Sequence, residues 1–153
     1  MSNHGSTHDL TQRPPRSPRV KLGGYVLLPR ILDKGRAALA GKLGEYRYEG
    51  IGLDRHFFSF VGLNHEALKA ELAKDGGDWE ILTWIQANAK TPRQPWEIAV
   101  WSEYHLRRSP DSDADTLPDF AEDVKKINPA REDIYTWFDY LDLDDHCSFG
   151  GKA

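Results

Sequence analysis

Residues 9–24 constrain the fold of this chain more than any other segment, because they hold three prolines and two glycines. Pro14, Pro15 and Pro18 have no amide hydrogen to donate, and each proline ring clashes with the helical turn before it. A continuous helix is therefore excluded here, and we expect an extended arm that packs on the domain that follows. The small, polar residues 1–8 are expected to be disordered.

Helical spacing of apolar side chains dominates the rest of the chain. Ile31, Leu32, Leu39 and Leu43 recur at helical intervals and predict an amphipathic helix over residues 29–40. Three further helices are predicted to begin at caps: one over residues 54–61 capped by Asp54, one capped by Asn64 and one capped by Asp78. Three more are predicted over residues 95–107, around Val124 and around Trp137. We therefore expect an all-α fold, an irregular bundle of about six or seven short helices preceded by the extended Arg/Pro-rich arm.

The predicted helix over residues 95–107 carries a stripe of Trp96, Ala99, Val100 and Tyr104. Because a surface helix turns its apolar face towards the core, we expect this stripe to be buried. We likewise interpret four tryptophans as core anchors rather than as a cofactor site, since each large ring can bury a large area. They are Trp84, Trp96, Trp101 and Trp137.

The length of the chain suits one domain, and we expect a single helical domain over residues 9–146 with a flexible tail over residues 147–153. Its one cysteine, Cys147, excludes an intrachain disulfide, and no neighbouring cation activates its thiol. The N-terminal region has no apolar run of signal-peptide length, and no stretch approaches the ~20 apolar residues of a membrane span. We therefore expect a cytoplasmic protein that does not bind membranes.

Charge is distributed unevenly along the chain. From Asp9 to Tyr48, lysines and arginines outnumber acidic residues nine to three, whereas from Glu49 onwards acidic residues outnumber them twenty-one to eleven. A basic segment joined to an acidic body either lies on that body or binds an external anion. Binding of nucleic acid is not expected, because the acidic body would repel a phosphate backbone.

Two short blocks carry a family resemblance: Arg16-Ser17-Pro18-Arg19 and Leu28-Pro29-Arg30-Ile31-Leu32-Asp33-Lys34. They resemble the opening of a family of small bacterial proteins that is catalogued as a domain of unknown function. The resemblance implies that the arm and the first helix belong to the domain. It implies no activity, because none is assigned to the family.

The basic arm and first helix supply the candidate binding residues Arg16, Arg19, Tyr25 and Arg30. Arginine offers a rigid fork of donors that suits a carboxylate or a phosphate, so these side chains could hold an anionic small molecule. The alternative is that the arginines clamp the arm onto the acidic body. Asp33, three residues from Arg30, can also neutralise that arginine across a helical turn.

Two functions remain open from the sequence. The first is a binding domain that holds an anionic small molecule, a protein partner or a second copy of the chain through its basic arm and first helix. The second is a small cofactor-independent enzyme that acts on an anionic or aromatic substrate, with Asp33, Asp54 or His56 as acid or base. The enzyme requires a carboxylate or imidazole whose pKa is strongly shifted in a pocket, whereas the binding domain does not.

No metal or cofactor is expected. The acids of residues 111–122 follow a calcium-loop spacing, but Thr116 stands where that loop needs a glycine for its sharp turn. The acidic run from Asp139 to Asp145, followed by His146 and Cys147, is interpreted as a solvated acidic tail rather than as a transition-metal site.

Overall fold

The computed structural model describes residues 9–110 and 117–151. Within these residues the chain forms seven α-helices and no β-strand, which confirms the predicted all-α class. The helices are α1 (Leu28–Leu39), α2 (Asp54–Val61), α3 (His65–Leu72), α4 (Asp78–Asn88), α5 (Pro95–Arg107), α6 (Leu117–Ile127) and α7 (Trp137–Ser148). Residues 1–8 and the first half of the calcium-loop candidate, residues 111–116, lie outside the described residues.

Side-chain capping explains where several helices begin. Asn64 caps α3 as predicted, because its Oδ1 accepts the amide hydrogens of Glu66 at 2.7 Å and Ala67 at 3.3 Å. Asp54 and Asp78 were predicted as caps, and this was wrong. They are the first residues of α2 and α4, and their carboxylates bind basic side chains from α1 and the arginine- and proline-rich segment instead.

A tight turn organises the end of the Arg/Pro segment, which here means residues 9–24. Leu22 and Tyr25 exchange two backbone hydrogen bonds of 3.0 Å, with Gly23 and Gly24 between them at φ angles of 59° and 84°. Two successive positive φ angles favour glycine strongly, because a side chain would crowd the backbone there. The chain continues from this turn into α1.

The core lies between the segment, α1 and the helices packed around them. α1 packs on α3, α3 on α4, and α6 on α7. Fully buried side chains include Val26, Leu28, Ile31, Leu32, Phe57, Leu68, Ile85 and Phe138. None of the seven described helices has the length and apolar content that crossing a membrane requires.

The predicted burial of the α5 stripe is wrong. Trp96, Val100 and Tyr104 are 68%, 61% and 54% exposed, whereas the buried face of α5 carries Ile98 and His105. α5 has apolar residues on more than one face, so periodicity identifies the helix without identifying the face that packs. The stripe is an exposed aromatic surface on the outside of the bundle.

The last helix runs further than the pattern indicated. α7 extends to Ser148, two residues into the segment expected to be a tail. Its acidic run is not a solvated tail, because the carboxylates of Asp139, Asp142 and Asp145 all bind arginines. Asp145 is 6% exposed. No cluster of three or more metal-ligating side chains occurs in the part of the chain that the structure describes.

Candidate functional site

Arg16 joins the Arg/Pro segment to two helices. Its guanidinium lies 3.0 Å from Oδ1 of Asp33 on α1 and 2.8 Å from Oδ2 of Asp78 on α4. Its backbone N–H also donates to Asp33 Oδ2 at 2.9 Å. Arg36 binds the same Asp78 carboxylate at 2.7 Å. Asp33 therefore pairs with Arg16, and Arg30 has another partner.

Arg19 docks the segment on α7. Its guanidinium pairs with Asp139 and lies 3.0 Å from Oδ2 of Asp142. The hydroxyl of Ser17 donates to the other oxygen of Asp142 at 2.8 Å. The side chain of Arg19 is 41% exposed, so solvent screens these pairs and each contributes about 0–1 kcal/mol to stability.

Arg30 forms the most deeply buried ion pair that the structure describes. Its two terminal nitrogens donate to the two carboxylate oxygens of Asp145, at 2.7 and 3.2 Å. The hydroxyl of Tyr46 donates to Asp145 Oδ1 at 2.7 Å, and the Arg30 guanidinium lies 5.6 Å from the centre of the Tyr46 ring. Burial and this hydrogen bond raise the pKa of Tyr46. Arg30 also donates to the carbonyl of Arg16 at 3.3 Å, which links the two arginines.

We call this set of contacts the arginine clamp: Arg16, Arg19 and Arg30 with Asp33, Asp78, Asp139, Asp142 and Asp145. Each of the three arginines expected to bind a ligand is paired with at least one carboxylate of the chain itself. An external anion would have to displace those carboxylates.

Tyr25, the fourth candidate binding residue, lies in the aromatic core. It is 3% exposed, and its ring meets Phe57 at 5.3 Å and Trp101 at 5.9 Å, both edge-on. Such edge-to-face pairs stabilise a core beyond the area that they bury. Burial raises the pKa of the Tyr25 hydroxyl. The contacts of Tyr25 are those of a packing residue.

The three catalytic candidates have separate surroundings. Asp33 binds Arg16, and Asp54 is buried in an ion pair with Lys34. His56 instead lies against His105, with ring centres 5.1 Å apart. Asp33 and Asp54 are thus neutralised by basic partners, and only His56 has no ion-pair or hydrogen-bond partner for its imidazole among the described residues.

A cavity of about 490 Å³ opens beside the arginine clamp. It is bounded by the start of the described chain, the loop after α1 and the end of α7. Its lining residues are Leu10, Thr11, Gly44, Glu45, Tyr46, Asp144, Ser148 and Phe149. Gly44 fits closely here, because a Cβ at this position would come within 2.9 Å of the Leu10 carbonyl oxygen. We call this cavity the acidic cavity.

The charge of this cavity comes from two carboxylates. The side-chain carboxylates of Glu45 and Asp144 form no hydrogen bond or ion pair with the described residues. Burial raises the pKa of Asp144, and the negative charges of Asp145 and Glu45 raise it further. α7 ends at Ser148, so the negative end of its dipole also lies at this cavity. The cavity therefore favours positive charge.

Sequence reasoning missed Glu45, Tyr46 and Asp144 as site residues. Asp144 belongs to the acidic run that was interpreted as a solvated tail, and Tyr46 stood in a segment without a helical pattern. Residues 44–46 and 144–149 meet where Arg30 and Tyr46 both bind Asp145. No local signal in the sequence indicates that contact.

A histidine pair lies between α2 and α5. His105 is 4% exposed, and its ring centre lies 5.1 Å from that of His56 and 4.5 Å from that of Trp101. Burial lowers the pKa of His105 to about 4, and the charges of His56 and Arg108 act in the same direction. His105 is therefore neutral in the folded protein at neutral pH.

This histidine gives the fold a defined acid sensitivity. The pKa of His105 falls from 6.5 to about 4 on folding, so the unfolded chain binds the proton first as pH falls. We expect the free energy of unfolding, measured in urea titrations, to decrease as the pH falls from about 6.5 to about 4. His105→Phe keeps an aromatic ring and should flatten this slope. An equally steep slope in the variant would assign the effect to other groups.

The comparison with known families places the chain in one of them. The model of a family described as a domain of unknown function (DUF5069) matches residues 12–147, so the chain belongs to that family. No curated protein matches the chain. The matched span contains the whole arginine clamp together with Glu45, Tyr46 and Asp144. Four other residues of the cavity wall, Leu10, Thr11, Ser148 and Phe149, lie just outside it.

Proposed function

We propose that this member of the family is a binding domain that takes a small cationic ligand, such as an amine or a guanidine, in the acidic cavity. One observation carries the proposal: Glu45 and Asp144 line a ligand-sized cavity and have no hydrogen-bond or ion-pair partner among the described residues. Asp144 is half-buried, and a carboxylate that is partly removed from water is stabilised by an opposite charge. The ligand would supply that charge.

The size and the walls of the cavity support a small organic cation. A volume of about 490 Å³ falls within the range of ligand clefts, roughly 300–1,000 Å³. Tyr46 and Phe149 add aromatic rings to the wall, and aromatic faces attract cations. Tyr46 is held in place by its hydrogen bond to Asp145, so this part of the wall is fixed before a ligand arrives.

The arginine clamp argues against an anion at the basic segment. Displacing Asp145 from Arg30 would leave a buried carboxylate without its cation. An unpaired buried charge is strongly destabilising. The clamp is therefore proposed as a structural element that fixes the segment and the cavity wall beside it.

One observation favours the alternative of a small enzyme. Asp144 combines a raised pKa with a position in a cavity, which is the setting of a general acid or base. The other ionisable groups in the described wall are Glu45 and Tyr46. Because the hydroxyl of Tyr46 is committed to Asp145, a proton transfer would depend on the two carboxylates alone. Binding needs only their charge, and we prefer it.

The test is an affinity measurement on a single carboxylate. Calorimetric titration with alkyl monoamines, diamines, guanidines and tetramethylammonium should identify a ligand of wild type. Asp144→Asn keeps the shape of the side chain and removes its charge, so affinity should fall about ten- to hundredfold, as expected for a charge-assisted contact. The melting temperature of the ligand-free variant should stay equal or rise, because the raised pKa means that the fold disfavours the ionised form.

Glu122→Gln is the matched control, since Glu122 is an exposed carboxylate on α6 away from the cavity wall. It should leave affinity unchanged. If both variants weaken ligand binding equally, the effect comes from the overall charge of the protein and not from the cavity. Failure of every cation in the panel to bind wild type would contradict the proposal. Conversion of a bound amine to a product would instead support the enzyme.

A further inference from the structure

A second group of side chains differs from the arginine clamp in having basic groups without acids. Arg55 and His56 lie on α2, and His105 lies near the end of α5, followed by Arg108. Arg55 and Arg108 form no hydrogen bond or ion pair through their side chains among the described residues. We call these four residues the His–Arg cluster. It shares no residue with the acidic cavity.

The electrostatics of the cluster are uniformly positive. Burial lowers the pKa of His56, and the charges of Arg108 and Arg55 lower it further. Burial and the charges of His56 and Arg108 likewise lower the pKa of His105. Acidic Glu103 lies on the same helix, but it is exposed and pairs with Arg107 at 3.4 Å. The positive charge of the cluster is therefore uncompensated within the described structure.

Two buried polar nitrogens lack hydrogen-bond partners: Nε2 of His56, which belongs to the cluster, and Nε1 of Trp137. Arg108 is linked to both residues: its guanidinium lies 5.9 Å from the centre of the Trp137 ring, and its charge acts on His56, whose ring packs on that of His105. The backbone N–H of Trp137 also donates to the carbonyl of Arg108 at 3.1 Å. Unsatisfied buried polar atoms are rare and costly, so a partner outside the described chain would remove the cost.

We propose that the His–Arg cluster binds a small anion through carboxylate or phosphate oxygens. The guanidinium of Arg108 provides the fork of donors, and His56 Nε2 and Trp137 Nε1 are the additional N–H donors that now lack acceptors. A metal ion is disfavoured at this place, because two arginine charges would repel it and only two imidazoles are present. We thus propose anion binding at arginines that have no acidic partner among the described residues, rather than at the clamp, where the sequence analysis expected it.

NMR spectroscopy of the whole chain tests the proposal with inorganic phosphate and acetate in separate titrations. Either anion should shift the ring resonances of His56 and His105 and the indole N–H of Trp137 in a saturable manner. Arg108→Gln should weaken this binding at least about tenfold, because it removes the charged fork. Arg107→Gln is the control, since it removes the same charge from the neighbouring residue, whose partner is Glu103.

Saturation by phosphate alone or by acetate alone would identify the ligand class, and either result supports the site. Equal weakening by Arg107→Gln and Arg108→Gln would reduce the binding to general electrostatics and overturn the proposal. The absence of saturable shifts with both anions would also overturn it. If Arg108→Gln fails to fold, Arg55→Gln on the exposed side of α2 replaces it and should also weaken binding, because its charge acts on His56 as well.

Discussion

Arg30→Met should destabilise the folded protein by about 3–5 kcal/mol, because it leaves the carboxylate of Asp145 buried without its cation. Arg30 and Asp145 are 5% and 8% exposed at the side chain, and two hydrogen bonds join them. Tyr46 alone cannot neutralise the remaining charge. Urea unfolding followed by circular dichroism measures the loss.

The matched comparison is Arg19→Met in the same segment. Arg19 is also paired with two carboxylates of α7, but it is 41% exposed, so its replacement should cost no more than about 1 kcal/mol per pair, or about 2 kcal/mol in all. The double variant Arg30→Met with Asp145→Leu should recover much of the lost stability, since no buried charge is then left unpaired. Similar losses for Arg30→Met and Arg19→Met would contradict the assignment of Arg30 as the buried centre of the clamp.

Phe57→Ala should cost about 3–5 kcal/mol, the range for deleting a fully buried aromatic side chain. Phe57 has no exposed surface, and its ring contacts those of Tyr25, Phe58 and Trp101. The deletion removes both apolar burial and these edge-on contacts, and it leaves a cavity that the helices cannot fill completely. The same urea experiment gives the value.

Tyr135→Ala serves as the control for this prediction. Tyr135 is 68% exposed, so its removal should change stability by no more than about 0.5 kcal/mol. A small effect of Phe57→Ala would mean that the ring cluster around Tyr25 is not the core. Tyr25 would then be open again to a role in ligand binding.

The fold was predictable from local signals to a considerable degree. Periodicity located α1 and α2 within a residue at each end, and Asn64 marked the start of α3, because these signals depend on neighbours in the sequence. The buried face of α5 was not predictable. Trp96, Val100 and Tyr104 repeat every four residues, and this spacing is the same for a stripe that faces solvent as for one that faces the core.

The candidate site was less predictable, because ion pairs are tertiary contacts. The charge asymmetry correctly suggested that the arginines could lie on the acidic body, but it could not assign Arg30 to Asp145, 115 residues away. Without that pair, Tyr46 and Asp144 have no reason to be considered together. The acids that remain unpaired can be identified only when the partners of the arginines are known.

The central claim is that the arginines hold the fold and that the unpaired acids of the cavity bind the ligand. NMR mapping of the tightest-binding amine tests it most directly. The expected result is a set of saturable shifts at the amides of Gly44, Glu45, Tyr46 and Ser148, with the Nε resonances of Arg16 and Arg30 unmoved. Shifts centred on the acids of another surface, or displacement of Asp145 from Arg30 on binding, would contradict the claim.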